Sequence, residues 1–214
     1  MRAVFGFVFL LLSVGGAAAQ DGPRIQLLGD SLMATHVLTG RSIPDVLGRT
    51  LGVDVDNRAV NGAMMGGISR QFRPGGADWV VLNGGGNDLW LGCNCNDCSQ
   101  RMAKVIGPDG LTGALPSLAA RIRASGARVL YVGYLRSPGF GSPIEHCRDD
   151  GDELERRVSL MARQMDGVWL MSNKDLVPSG DTSYHAFDRI HPSVKGSRAI
   201  ARRIAGAIRQ LDGS

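Results

Sequence analysis

The sequence predicts an α/β protein with about five parallel strands covered by helices on both faces. Two observations carry this. Short apolar runs alternate along the chain with longer segments whose apolar residues recur at helical spacing. The residue types that carry chemistry fall just after the ends of the apolar runs, where open parallel sheets build their sites.

The elements follow in order. Arg24–Leu28 is a short apolar run ending at Gly29. Ile43–Leu51 has helical spacing, and Pro44 suits a first turn. Gly52–Asn57 reads as a strand by its alternating valines. Asp78–Asn83 holds Trp-Val-Val-Leu, apolar enough for a strand buried on both faces. Leu111–Arg123 places Leu111, Leu115, Leu118 and Ile122 on one helical face. Ala127–Gly133 is a further buried strand. Asp152–Met165 is helical, with Leu154, Val158 and Met161 in period, and Gly167–Met171 is the fifth strand. Ser193–Leu211 closes the chain as a helix with Ile200, Ile204, Ile208 and Leu211 toward the core. No internal repeat or linker interrupts this order, so residues 20–214 are expected to form one domain.

Residues 1–19 read as a signal peptide. Arg2 gives the positive start, Ala3–Val14 is apolar, and Ala17-Ala18-Ala19 offers a small-residue cleavage site before Gln20. The apolar run is shorter than the roughly 20 residues that span a bilayer, and no later segment is long and apolar enough. An exported protein, periplasmic or extracellular and without a membrane span, is expected. Loss of Arg2 leaves 23 basic against 20 acidic residues, a net charge of +3. Arg198, Arg202, Arg203 and Arg209 supply part of this excess on the last helix and read as a solvated face. Without interleaved aromatic residues to stack bases, they do not indicate nucleic acid.

Cys93, Cys95, Cys98 and Cys147 are an even set in an exported chain, which favours two disulfides. Cys-x-Cys-x-x-Cys with Cys147 as a fourth ligand is the competing metal reading, disfavoured because no histidine joins the cluster. The pairing is open, although a Cys93–Cys95 bridge would close a very tight loop.

The candidate chemistry begins with Asp188-Arg189-Ile190-His191, a carboxylate and an imidazole three residues apart on one turn. A serine hydroxyl needs a base within hydrogen-bond reach and a third group to orient that base. Gly29-Asp30-Ser31-Leu32, after the first strand, offers the serine. Asn57-Arg58-Ala59-Val60-Asn61-Gly62 follows the second strand, and Gly85-Gly86-Asn87-Asp88 follows the third. Alone, Asp30 and Ser31 would read as helix caps and Asn87 and Gly62 as turn residues. His36, His146 and His185 lack a carboxylate three residues before them and read as surface or loop residues, with His185 a minor candidate for the base.

Four blocks in this order resemble the SGNH (GDSL-type) serine hydrolases, and the compact bacterial esterase, thioesterase and lysophospholipase branch in particular. The resemblance spans Ser31 to His191. It implies a flavodoxin-like, three-layer α/β/α sandwich and a Ser31–His191–Asp188 triad. It also implies an oxyanion hole of the Ser31 and Gly62 backbone N–H groups and the Asn87 side-chain amide. Gly62 would let the backbone approach the reacting oxygen without a Cβ in the way. No cofactor or metal is implied. The expected activity is hydrolysis of small-molecule, lipid or glycan esters through an acyl-serine. A polysaccharide or cell-wall O-acetyl esterase or O-acetyltransferase is the alternative, and a silent glycan-binding module a third reading. The segment Leu89–Cys98 is expected to be a loop longer than the family's. Cys147 would pin it to the loop after the fourth strand, with Met64, Met65, Trp90, Tyr134, Phe140 and Phe187 available to line a pocket.

Overall fold

The structure, a computed structural model, describes residues 24–213. The expected signal peptide lies outside the described residues. In chain order the elements are β1 (Ile25–Leu28), α1 (Ser31–Ala34), α2 (Ile43–Leu51), β2 (Val55–Asn57), α3 (Met65–Gln71) and β3 (Trp79–Leu82). Then come α4 (Gly86–Cys93), α5 (Ser99–Val105), α6 (Ala114–Ala124), β4 (Arg128–Val132), α7 (Arg148–Gln164), β5 (Val168–Met171) and α8 (Val194–Asp212).

The five strands form one parallel sheet in the order β2-β1-β3-β4-β5. Alternating side chains feed two cores. From β3, Trp79 and Val81 face one side and Val80 and Leu82 the other. The first side packs against α1, α2 and α8, and the second against α3 to α7. This is the expected three-layer α/β/α sandwich. The two-sided burial explains why β3 is apolar at every position.

The order also fixes where a site can form. The chain steps from β1 to β2 through α1 and α2 on one face. It then crosses back to β3, β4 and β5 through helices on the other face. Parallel crossovers share one hand, so reversing direction along the sheet moves the helices to the opposite face. The reversal leaves a crevice at the carboxyl ends of β1 and β3.

Three expectations are corrected in detail. Half of the segment Leu89–Cys98 is helical: α4 runs through Cys93, and Asn94–Cys98 is loop before α5. The helix expected from Leu111 starts at Ala114, because Gly110 and Gly113 take positive φ (76° and 105°), and Leu111 is exposed. The strand expected over Gly52–Asn57 is only Val55–Asn57, since Gly52 ends α2 in the left-handed region.

All four cysteines are bridged, Cys93 to Cys98 and Cys95 to Cys147. Cys95–Cys147 spans 52 residues and ties the loop after α4 to the start of α7, so two segments leaving adjacent strands are held together. In the loop-entropy description the long link stabilises by about 4 kcal/mol and the short one by about 2. Cys95→Ser/Cys147→Ser is therefore expected to melt at lower temperature than Cys93→Ser/Cys98→Ser. Thermal unfolding of both pairs checks this, and equal losses would show that loop closure does not govern the effect.

Candidate active site

Ser31 is the first residue of α1, directly after β1. Asp30 caps that helix, its Oδ1 accepting the Leu32 N–H at 3.0 Å, so the capping reading of this dipeptide holds for Asp30. The Ser31 N–H finds no acceptor among the described residues, as befits an orphan donor at a helix start. Gly29, just before, is clamped by Gln71, whose amide accepts the Gly29 N–H at 2.8 Å and donates to its carbonyl at 2.9 Å.

Asp188 and His191 meet as expected. His191 Nδ1 lies 2.6 Å from Asp188 Oδ2. An ionised carboxylate only accepts, so Nδ1 carries the proton of this bond. Asp188 Oδ1 accepts the backbone N–H groups of Ile190 and His191, both at 3.0 Å. Burial alone would raise the Asp188 pKa. The hydrogen bonds from the His191 ring and from these two N–H groups outweigh it and hold the carboxyl below its usual range. Arg189 takes φ +56° to close this turn, and its carbonyl accepts the Ser142 hydroxyl at 2.9 Å.

Asn87 is 8 % exposed at the start of α4, and its Nδ2 donates to the Ala63 carbonyl at 3.2 Å. An amide nitrogen has two protons, so one donor remains. The bond also joins α4 to the turn that carries Gly62. Gly62 sits at φ +72° in a turn closed by the Ala63 N–H on the Val60 carbonyl, and its own N–H has no acceptor among the described residues. A Cβ on Gly62 would meet nothing within 4 Å, so the turn's left-handed backbone, not crowding by the protein, requires glycine here.

A cavity of about 380 Å³ gathers part of this set. Ser31, Asn87 and His191 line it; Gly62 and Asp188 do not. Among the described residues no hydrogen bond joins Ser31 Oγ to His191; the two face the cavity separately. Leu89, Trp90, Leu135, Ile144 and Leu154 give it apolar walls, and the Cys95–Cys147 bridge forms part of one side. Its rim is charged: Arg136 pairs with Asp152 at 2.8 Å and Glu155 at 3.0 Å, and Lys174 with Asp152 at 3.1 Å. Of the other proposed lining residues Tyr134 faces the cavity, whereas Met65 is core, Phe140 and Phe187 are exposed, and Met64 lies off it.

Two loop histidines are held by hydrogen bonds. His185 lies in a loop, as expected, but is buried and not at the surface. Its Nε2–H donates to the Arg136 carbonyl at 3.0 Å, burial lowers its pKa, and it is absent from the cavity lining. His36, at φ +68°, donates from Nε2 to the Pro192 carbonyl at 2.9 Å and so braces the loop that holds His191.

Sequence reasoning missed a second layer. Asp88 is buried, and its Oδ2 accepts the Met65 N–H at 2.8 Å, capping α3 from another element; burial raises its pKa. Tyr134 donates its hydroxyl to Asp30 Oδ2 at 2.5 Å and accepts the Gly86 N–H at 2.9 Å. One phenol thus links the turn before Ser31 to the helix that bears Asn87. Gly86 must be glycine because a Cβ there would lie 2.6 Å from the Tyr134 ring. Burial raises the Asp30 pKa, and the Tyr134 hydroxyl and Leu32 N–H offset only part of it.

Tyr134→Phe removes one of these donors, so it is expected to raise the Asp30 pKa further. A carboxyl whose pKa is raised by folding weakens the fold where it is ionised, and that cost fades as pH falls through the raised value. The variant should therefore lose about 1–3 kcal/mol at neutral pH, and the loss should shrink toward the ordinary carboxylate range. Melting curves across pH test this; a pH-independent difference would mean the hydroxyl does not act through Asp30.

The fold is shared widely among solved structures. The psychrotrophic esterase EstA from Pseudoalteromonas sp., inhibited by monoethylphosphonate, is 16 % identical, with a TM-score of 0.64 over 90 % of this chain and 100 % of that one. A lipase/acylhydrolase from Enterococcus faecalis is 18 % identical, with a TM-score of 0.67 over 88 % and 96 %. An acetyl-xylooligosaccharide esterase from Geobacillus, as a W190I mutant, is 18 % identical, with a TM-score of 0.62 over 87 % and 94 %. A search of curated protein sequences finds no match. Residues 27–199 match the profile of the GDSL-like Lipase/Acylhydrolase family, a span that includes every block from Ser31 to His191, and the chain belongs to that family of ester-cleaving serine hydrolases.

Proposed function

We propose that residues 20–214 form a single exported domain that hydrolyses carboxylic esters through an acyl-Ser31 intermediate. The convergence of Ser31, Asn87 and a carboxylate-oriented His191 on one apolar-walled cavity carries this reading. His191 Nε2 takes the Ser31 proton as the hydroxyl attacks the ester carbonyl. Asp188 holds the tautomer and stabilises the imidazolium. The N–H groups of Ser31, Gly62 and Asn87 stabilise the oxyanion. His191 then protonates the departing alcohol, and water repeats the cycle on the acyl-enzyme. The two disulfides support export, since such bonds persist in oxidising compartments. No described helix is long and apolar enough to cross a membrane.

The apolar walls beside Ser31 suit an acyl chain of more than two carbons. The charged rim supports the second reading, a glycan O-acetyl ester, because paired charges offer donors and acceptors to sugar hydroxyls. A panel of p-nitrophenyl esters from acetyl to decanoyl, set against acetylated xylan, decides between them. The first reading expects kcat/KM to rise with chain length beyond acetyl. A maximum at acetyl together with acetate release from the glycan would establish the second. No turnover of either class would contradict both.

A further inference from the structure

A second hollow lies on the seam between α2 and α8, and it shares no lining residue with the Ser31 cavity. Arg41, Arg49, Arg198 and Arg202 line it with Thr39 and Thr50, and no carboxylate does among the described residues. Helical spacing brings them together. Arg198 and Arg202 are four apart on α8 and share a face, while Arg49 closes the facing side from the last turn of α2 and Arg41 just precedes that helix.

Among the described residues none of the four guanidinium groups makes an ion pair or a hydrogen bond. Their neighbours on α8 are engaged: Arg203 pairs with Asp175, and Arg209 donates to the Thr50 carbonyl. Arginines on successive turns repel one another, and no described carboxylate lines the hollow to pair with them. From sequence, the α8 arginines read as a solvated face. The structure sets two more arginines from a separate element against them, so the charges converge on one groove.

Guanidinium forks match the oxygens of phosphate bidentately. We infer that this groove is a binding site for phosphate-type oxyanions, either a free polyphosphate or phosphate headgroups on a lipid surface. It flanks the loop that bears His191. Thr39 and Gly40 follow His36, which bonds the Pro192 carbonyl, and Val194 follows Pro192 by two residues. The inference stands apart from the esterase reading, because binding is measured without turnover.

The test uses the mature chain at low salt, where charge interactions are least screened. Wild type is expected to bind tripolyphosphate, and Arg198→Gln/Arg202→Gln to bind it about tenfold more weakly or worse. Arg41→Gln/Arg49→Gln, from the opposite wall, should do the same, which guards against a folding defect in one pair. Lys104→Gln/Arg163→Gln removes equal charge from the other face of the sheet and should bind as wild type does. Sedimentation with phosphatidylglycerol or phosphatidylcholine vesicles separates the sources. Retention by the anionic vesicles alone, lost in the groove variants, supports headgroups. Tripolyphosphate binding without retention supports a free polyanion. The inference is overturned by wild type that binds neither probe, by groove variants that bind normally, or by a control pair that loses binding equally.

Discussion

Ser31→Ala is expected to cut kcat for ester hydrolysis by about 10⁴–10⁶-fold, because nucleophile and base act as a unit and removing either forfeits nearly the whole effect. The fold should survive. The Ser31 side chain makes no hydrogen bond among the described residues. The groups that shape its turn are the Asp30 carboxylate, the Ser31 carbonyl that accepts the Thr35 hydroxyl, and the Gln71 clamp on Gly29. Alanine preserves all three, so the melting temperature should hold, as for other substitutions that remove no contact. Purified wild type and variant, assayed under saturating ester and melted side by side, check both parts. Near-normal turnover by a folded variant would remove Ser31 from the mechanism.

Asn87→Ala is expected to lower kcat by about 10²–10³-fold with a smaller change in KM, as for the loss of one oxyanion donor. It also strips the Ala63 carbonyl of a partner and loosens the tie between α4 and the Gly62 turn. That structural part should cost about 1–2 kcal/mol of stability. Asn87→Asp keeps the shape but, like alanine, offers no donor to the oxyanion or to the Ala63 carbonyl, so melting each variant beside the kcat assay separates the catalytic loss from the structural one. Loss of kcat in both variants supports the donor role. A change confined to KM would instead assign Asn87 to substrate binding.

The sheet was legible because strands buried on both faces must be apolar throughout, as in Trp79–Leu82. The long helices α2, α7 and α8 were legible from their periodic faces. α3, α4 and α5 were not. They have seven or eight residues each, too few turns for a period to stand out, and α3 and α4 carry internal glycines that suggest loop. Leu111 was misplaced because helical spacing was allowed to run across Gly113, whose conformation breaks it.

The candidate site divides along the same line. Asp188 and His191 were readable because their geometry is local, three residues on one turn. Gln71, Asp88, Tyr134 and His36 were not readable as partners, because they act on groups 23 to 156 residues away in sequence. Spacing carries no signal at that range. Asp88 left only the trace of an acid beside Asn87 in the Gly-Gly-Asn-Asp block. The disulfide pairing was open for the same reason: Cys95 and Cys147 meet only because β3 and β4 are neighbours in the sheet.

The central claim is that Ser31 is a nucleophile activated by His191, and covalent capture tests it most directly. The mature protein, treated with a fluorophosphonate and examined by intact-mass and peptide-mapping spectrometry, should gain one adduct on Ser31. His191→Ala should slow that labelling by about 10³-fold or more. An unlabelled wild-type protein with its fold intact, or an adduct mapped to any other residue, would contradict the account.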